Sequence, residues 1–196
     1  MEALTVPPTC AVALKEWASV LGAMGRGEQL VLVRKGGLIE PGSGFELLWP
    51  SFVFYPTFEH QTVNYLRPSY QQDVEQTLQG RAPENQVRIE LFGAAIFSTR
   101  TQDPSTIERI SAFHIYNEAF VSQRLKWQPD QPLVIVVVRT FRLPRPHLLT
   151  IVPHYAGCKS WVELEAAVPL EGAYPVLTER IFQERLRELS ALLASA

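Results

Sequence analysis

Leu133-Val134-Ile135-Val136-Val137-Val138-Arg139-Thr140 is the stretch from which the fold is read. Branched side chains restrict the rotamers of a helix and suit a pleated backbone, so this valine-rich run predicts a strand. Pro132 bounds it on one side. An apolar run without polar alternation predicts a strand covered on both faces. The run is also far shorter than the roughly 20 residues a helix needs to cross a bilayer.

Working outward, Val87 to Thr99 reads as a second central strand with Gly93 as a bend or bulge. Leu30 to Val33 reads as a short buried strand, and Phe45 to Leu48 and Phe52 to Tyr55 as short strands around Pro50. Leu14, Trp17, Ala18, Leu21 and Met24 recur at three- and four-residue steps, which predicts a helix ending near Gly25 and Gly27. Pro68 and Gly80 bracket a surface helix of roughly 69–79. Ser105 and Glu108 have capping-box spacing, and Asn117 caps a short helix to about Leu125. Thr178 caps a last helix whose Ile181, Phe182, Leu186, Leu189 and Leu193 form an apolar face.

These elements do not alternate as regular strand–helix–strand units. The expected fold is α+β: a mixed, mainly antiparallel curved sheet or partial barrel, with an N-terminal and a C-terminal helix packed on it. Residues 1–196 are expected to form a single domain, with about ten N-terminal residues as a tail. The chain carries 18 basic and 20 acidic residues and has two cysteines, Cys10 and Cys158. With no basic, then apolar, N-terminal stretch, free thiols, a cytoplasmic setting and no membrane contact are expected. A net charge of −2 gives no global attraction to nucleic acid or anionic lipid, so electrostatic recognition must be local.

Three islands carry candidate chemistry. In Arg34-Lys35-Gly36-Gly37, with Glu40 nearby, two cations precede a glycine pair that lets backbone approach an anion. In Glu59-His60-Gln61, a carboxylate, an imidazole and an amide follow a strand. Between Gln131 and Val162 there is no acidic residue, while Arg139, Arg142 and Arg145 repeat every third position. A polyproline-like backbone would line those three up along one edge; a strand would turn Arg142 away from the others. A plainer account exists for each island: a hairpin turn with solvated charges for the first, His60 and Gln61 hydrogen-bonding backbone in a buried corner for the second, and a solvated strand end for the third. His147 and His154 lack zinc-ligand spacing, so no metal site is assigned.

Several stretches form a recognisable series: Ala13-Leu14-Lys15-Glu16-Trp17, Arg34-Lys35-Gly36-Gly37 with Glu40, and Tyr55-Pro56-Thr57 with Glu59-His60-Gln61. His114-Ile115, Arg124 with Trp127, and Tyr155 with Gly157-Cys158-Lys159-Ser160-Trp161 complete it. In order and spacing they resemble the family catalogued as domain of unknown function 1802. The resemblance spans about residues 11–165 and implies a single domain in a prokaryotic, intracellular setting. It names no substrate or cofactor.

Three functional readings follow, in this order. In the first, Arg34, Lys35, Gly36, Gly37, His60, Gln61, His114, Arg139 and Arg142 surround a basic groove for a phosphate-bearing partner, nucleic acid or nucleotide. In the second, Glu40, Glu59 and His60 hold a divalent metal for phosphoester hydrolysis. In the third, Trp49, Tyr65, Tyr70 and Trp127 anchor a protein partner. The first two require side chains distant in sequence to share one concavity.

Overall fold

The computed structural model describes residues 5–35 and 44–195. The fold is α+β. Seven strands form one mixed sheet: β1 (Thr9–Trp17), β2 (Val31–Arg34), β3 (Ser51–Thr57), β4 (Gln86–Thr101), β5 (Leu133–Thr150), β6 (Trp161–Pro169) and β7 (Tyr174–Pro175). Five helices accompany it: α1 (Ala18–Gly25), α2 (Gln71–Gln79), α3 (Pro104–Arg109), α4 (Glu118–Lys126) and α5 (Glu179–Ala194). The strand order is β2-β5-β4-β3-β1-β6, with the short β7 paired to β5. Only β1 and β3 run parallel; the other pairings are antiparallel.

The valine run behaves as expected. Leu133 through Val138 are all buried at the start of β5, between β2 and β4. Alternation along β1 and β3 divides the interior in two. Leu14, Phe52 and Phe54 join a cluster with α1, α4 and α5, while Ala13, Val53 and Tyr55 face a second cluster with Val162, Leu164 and Tyr155. The C-terminal helix is docked through Phe182, Leu186 and Leu189, and Thr178 Oγ1 caps it by accepting the Ile181 amide.

Four local expectations are corrected. The helix expected from Leu14 starts only at Ala18; residues 14–17 finish β1, because Ala13 and Leu14 already alternate between the two cores. No strand forms over residues 45–48; Phe45 instead packs its ring on Trp161. The cap of α3 is Asp103, whose carboxylate accepts the Ser105 amide at 2.9 Å, so Ser105 lies inside the helix after Pro104. Gly93 lies in regular register opposite Phe52 and Thr140, and the slips in β4 fall on either side of it. Asn117, by contrast, caps α4 as expected, its Oδ1 accepting the Phe120 amide at 3.1 Å.

The arginine stretch is extended strand, not polyproline helix. β5 runs through Thr150, but its pairing slips between Arg142, opposite Leu91, and His147, opposite Ile89. The excess residues on β5 bulge out around Pro144 and Pro146, which have no amide to give the ladder.

A basic, aromatic-walled cleft as the candidate site

At the C-terminal ends of β1, β2 and β3 the curled sheet leaves a cleft of 480 Å³, covered on one side by α4 and on another by the loop before β6. That size lies within the range of small-molecule sites. Among the described residues, five cationic side chains line it, Lys15, Arg34, Lys35, Arg124 and Lys159, against two carboxylates, Glu16 and Glu59. A chain of net charge −2 therefore concentrates positive charge in one hollow.

Each cation is positioned by backbone or by a ring. The Arg34 guanidinium donates to Lys15 O at 3.1 Å, to the Glu16 carboxylate at 2.9 Å and to Ser160 Oγ at 2.8 Å, and stacks over Phe45. Lys35 Nζ donates to Leu125 O at 3.1 Å, joining the end of β2 to the end of α4. Lys15 Nζ lies over the Tyr55 ring and donates to Gly157 O at 3.0 Å. Lys159 Nζ donates to His154 O. Arg124 lies over the Phe120 ring at 5.1 Å, and its buried Nε has no hydrogen-bond partner among the described residues.

Burial first, and neighbouring positive charge second, shift the acidities of three of these groups. Burial, then the charge of Arg34, lowers the pKa of Arg124, with Glu16 pulling the other way. Burial and then Arg124 lower Lys35. Burial and then Lys159 lower Lys15, against Glu59 and Cys158. An anion entering the cleft would relieve all three.

The remaining wall is aromatic. Trp17 and Tyr65 stack with planes 6° apart, Tyr116 and Phe120 stack with centroids 4.0 Å apart, and Trp127 lines the cleft with 39% of its surface exposed. Cys158 is exposed in the same hollow, whereas Cys10 is buried.

Of the residues singled out from sequence, the structure brings Arg34, Lys35, Glu59 and His60 together here. His60 lies exposed at φ 63°, in the left-handed region that few side-chain-bearing residues adopt, in the segment after β3. Gly36, Gly37 and Glu40 lie outside the described residues. Gln61 is turned away: its amide oxygen accepts the Ser19 amide at the start of α1, and its nitrogen faces Thr77. His114 is buried behind Tyr116, beside a separate groove of 920 Å³ between α3 and α4.

Arg139 and Arg142 do not reach the cleft. Arg139 is held under α5 by Glu179 at 2.7 Å and by the Phe182 ring at 4.6 Å. Arg142 lines a 290 Å³ depression and donates to Gly25 O at 2.8 Å, where a cation suits the carbonyl end of α1. The expected ridge of arginines is thus divided among structural tasks. Trp49 and Tyr70 are likewise occupied, by Trp161 and by the Arg67 guanidinium. Glu59 and His60 are adjacent, and no group of three imidazole, thiol or carboxylate side chains suited to a metal occurs among the described residues.

Lys15, Glu16, Trp17, Arg124, Trp127 and Lys159 were not among the candidate residues for the basic groove, yet each belongs to a stretch on which the family resemblance rests. The family model for Domain of unknown function (DUF1802) matches residues 13–188, most of the chain. The chain belongs to the DUF1802 family. Residues from several of the stretches that mark this DUF1802 protein, dispersed from Lys15 to Ser160, meet around one hollow. No curated protein matches it. Among solved structures, a crystal structure of a mutant of the ZmASCH protein from Zymomonas mobilis is similar at 12% identity, with a TM-score of 0.41 over 93% of this chain and 98% of that one. In the DUF1802 protein, no helix among the described residues is long and apolar enough to cross a membrane.

Proposed function

We propose that this DUF1802 protein binds a phosphate-bearing ligand, a nucleotide or a segment of nucleic acid, in the cleft at the ends of β1, β2 and β3. The observation that carries the reading is the excess, among the described residues, of five cations over two carboxylates in a hollow with aromatic walls. Guanidinium and ammonium groups recognise phosphate oxygens, and ring faces recognise the flat part of the same ligand. Arg124 is the strongest phosphate donor on this reading, because its Nε has no partner among the described residues and Phe120 fixes its plane. Arg34 is already engaged by Glu16 and Ser160 and chiefly shapes the floor.

The test is calorimetric titration with adenosine monophosphate, adenosine and inorganic phosphate at low salt. Adenosine monophosphate is expected to bind more tightly than either part alone, with affinity falling as salt rises. Arg124→Gln is expected to weaken it roughly tenfold or more, the scale of a charge-assisted hydrogen bond. Bound ligand should also slow alkylation of Cys158, the exposed thiol of the cleft. Absence of binding by the mononucleotide and by short oligonucleotides at low salt would remove the reading.

A further inference from the structure

The cations of the cleft form two groups. Arg34, Lys35 and Arg124 stand together where β2 ends against α4; burial and mutual repulsion lower Lys35 and Arg124. Lys15 and Lys159 form the other group, tied to the carbonyls of Gly157 and His154 in the segment before β6. The end of β1 separates the groups. Successive side chains leave opposite faces of a strand, so Lys15 points to the Tyr55 side and Glu16 to the Arg34 side. On the Arg34 side lies the Glu16 carboxylate, buried and committed to Arg34 at 2.9 Å. With the end of β1 between the groups, and that carboxylate opposing an anion on the Arg34 side, each group calls for a phosphate of its own.

We infer that the cleft holds a single strand of nucleic acid by two of its phosphates, one at Arg124, backed by the buried charge of Lys35, and one at Lys15 and Lys159, across the end of β1. The inference rests on the ligand class proposed above and narrows it from a lone nucleotide to a strand. A duplex keeps its base faces stacked inside, whereas an unpaired base is free to stack on the exposed Trp127 ring. A strand supplies both features at once: repeated phosphates for separate cation groups, and free ring faces for the aromatic wall.

The experiment compares fluorescein-labelled hexauridylate and hexathymidylate with uridine monophosphate by anisotropy and competition at low salt. A hexamer is expected to bind at least roughly tenfold more tightly than the monophosphate. Lys15→Gln with Lys159→Gln should weaken the hexamer roughly tenfold more than it weakens the monophosphate, and should flatten the salt dependence of the hexamer by roughly 0.7 unit of slope, the share of one single-strand phosphate. Arg124→Gln should weaken both ligands. If the double variant fails to fold, Lys159→Gln alone decides, by weakening the hexamer more than the monophosphate. Equal affinity for hexamer and monophosphate, or equal weakening of both by the lysine changes, overturns the two-phosphate inference and leaves the nucleotide reading standing. Failure of every probe to bind overturns both. The ribo- and deoxyribo-hexamers distinguish RNA from DNA as the source of the strand.

Discussion

Arg34 and Glu16 meet at 2.9 Å, and the contact joins β2, at one edge of the sheet, to β1 near the other. The same guanidinium reaches Ser160, immediately before the edge strand β6. Among the described residues the sheet is not closed by backbone pairing, so one side chain spans the gap that a barrel would close with a ladder. With 16% and 6% of their side chains exposed, neither partner is easily rehydrated if the other is removed. Arg34→Met and Glu16→Gln are each expected to cost about 3–5 kcal/mol, the scale of an orphaned buried charge. The double variant should lose less than the sum. Urea unfolding of all four proteins measures the coupling, and strict additivity would show that the pair contributes nothing.

Gly93 gives a second prediction. A Cβ at this position would lie 2.8 Å from Phe54 and 2.9 Å from Phe52. Both rings are fully buried and packed edge to face, so neither can swing clear. Gly93→Ala should therefore destabilise by about 1–3 kcal/mol through overpacking. Phe54→Leu in the same background should recover part of that loss. Unchanged thermal stability in Gly93→Ala would mean that the rings move aside.

The same region shows what the sequence could and could not disclose. Gly93 was legible as special, but the reason was not local: two aromatic rings from β3, some forty residues earlier, close over it. β5, the C-terminal helix and the Asn117 cap were legible because each is decided by its own pattern or by one side chain binding a nearby amide. The helix expected from Leu14 was misplaced because apolar residues at 14, 17 and 18 satisfy a helical period and a strand-to-helix turn alike. For the site, Arg34, Lys35 and His60 were visible as charged or polar groups beside strands. Arg124 and Trp127 did not stand out as groove residues, because charge and aromaticity on a short helix look like an ordinary wet face until α4 is docked over β1. Arg139 and Arg142 misled for the converse reason: their partners, Glu179, Phe182 and Gly25, lie far away in sequence.

His114 supplies a pH dependence. Its ring is 2% exposed, and Nε2 lies 3.0 Å from Ile107 O; a carbonyl only accepts, so the ring proton resides on Nε2. Burial pushes its pKa down from 6.5 to about 4, with Arg67 adding to the effect. Above pH 6.5 the imidazole is neutral folded and unfolded, and its full contribution is present. As pH falls from 6.5 to about 4 the unfolded chain takes up a proton that the folded one refuses, and stability is lost across that window. The loss should approach roughly 3 kcal/mol. His114→Gln keeps an N–H for Ile107 without titrating. Urea midpoints measured at pH 4 to 7 should therefore diverge between the two proteins, and parallel profiles would disprove the assignment.

Arg139 and Arg124 separate structural from ligand-directed charge. The Arg139 guanidinium is buried against Phe182 at 4.6 Å and Phe141 at 5.6 Å while pairing with Glu179, so its work is to seat α5 on β5. Arg139→Gln should remove the cation–ring contacts and destabilise the fold by about 1–2 kcal/mol, visible as a lower melting temperature. Its affinity for adenosine monophosphate should stay that of the unaltered protein, because no part of Arg139 lines the cleft. Arg124→Gln should do the reverse, since removing a charge that is held close to Arg34 and Lys35 relieves repulsion. It should hold or raise the melting temperature while weakening the nucleotide. Equal loss of affinity in the two variants would show that anion binding is not confined to the hollow at the ends of β1, β2 and β3, and would return the arginines of β5 to the ligand.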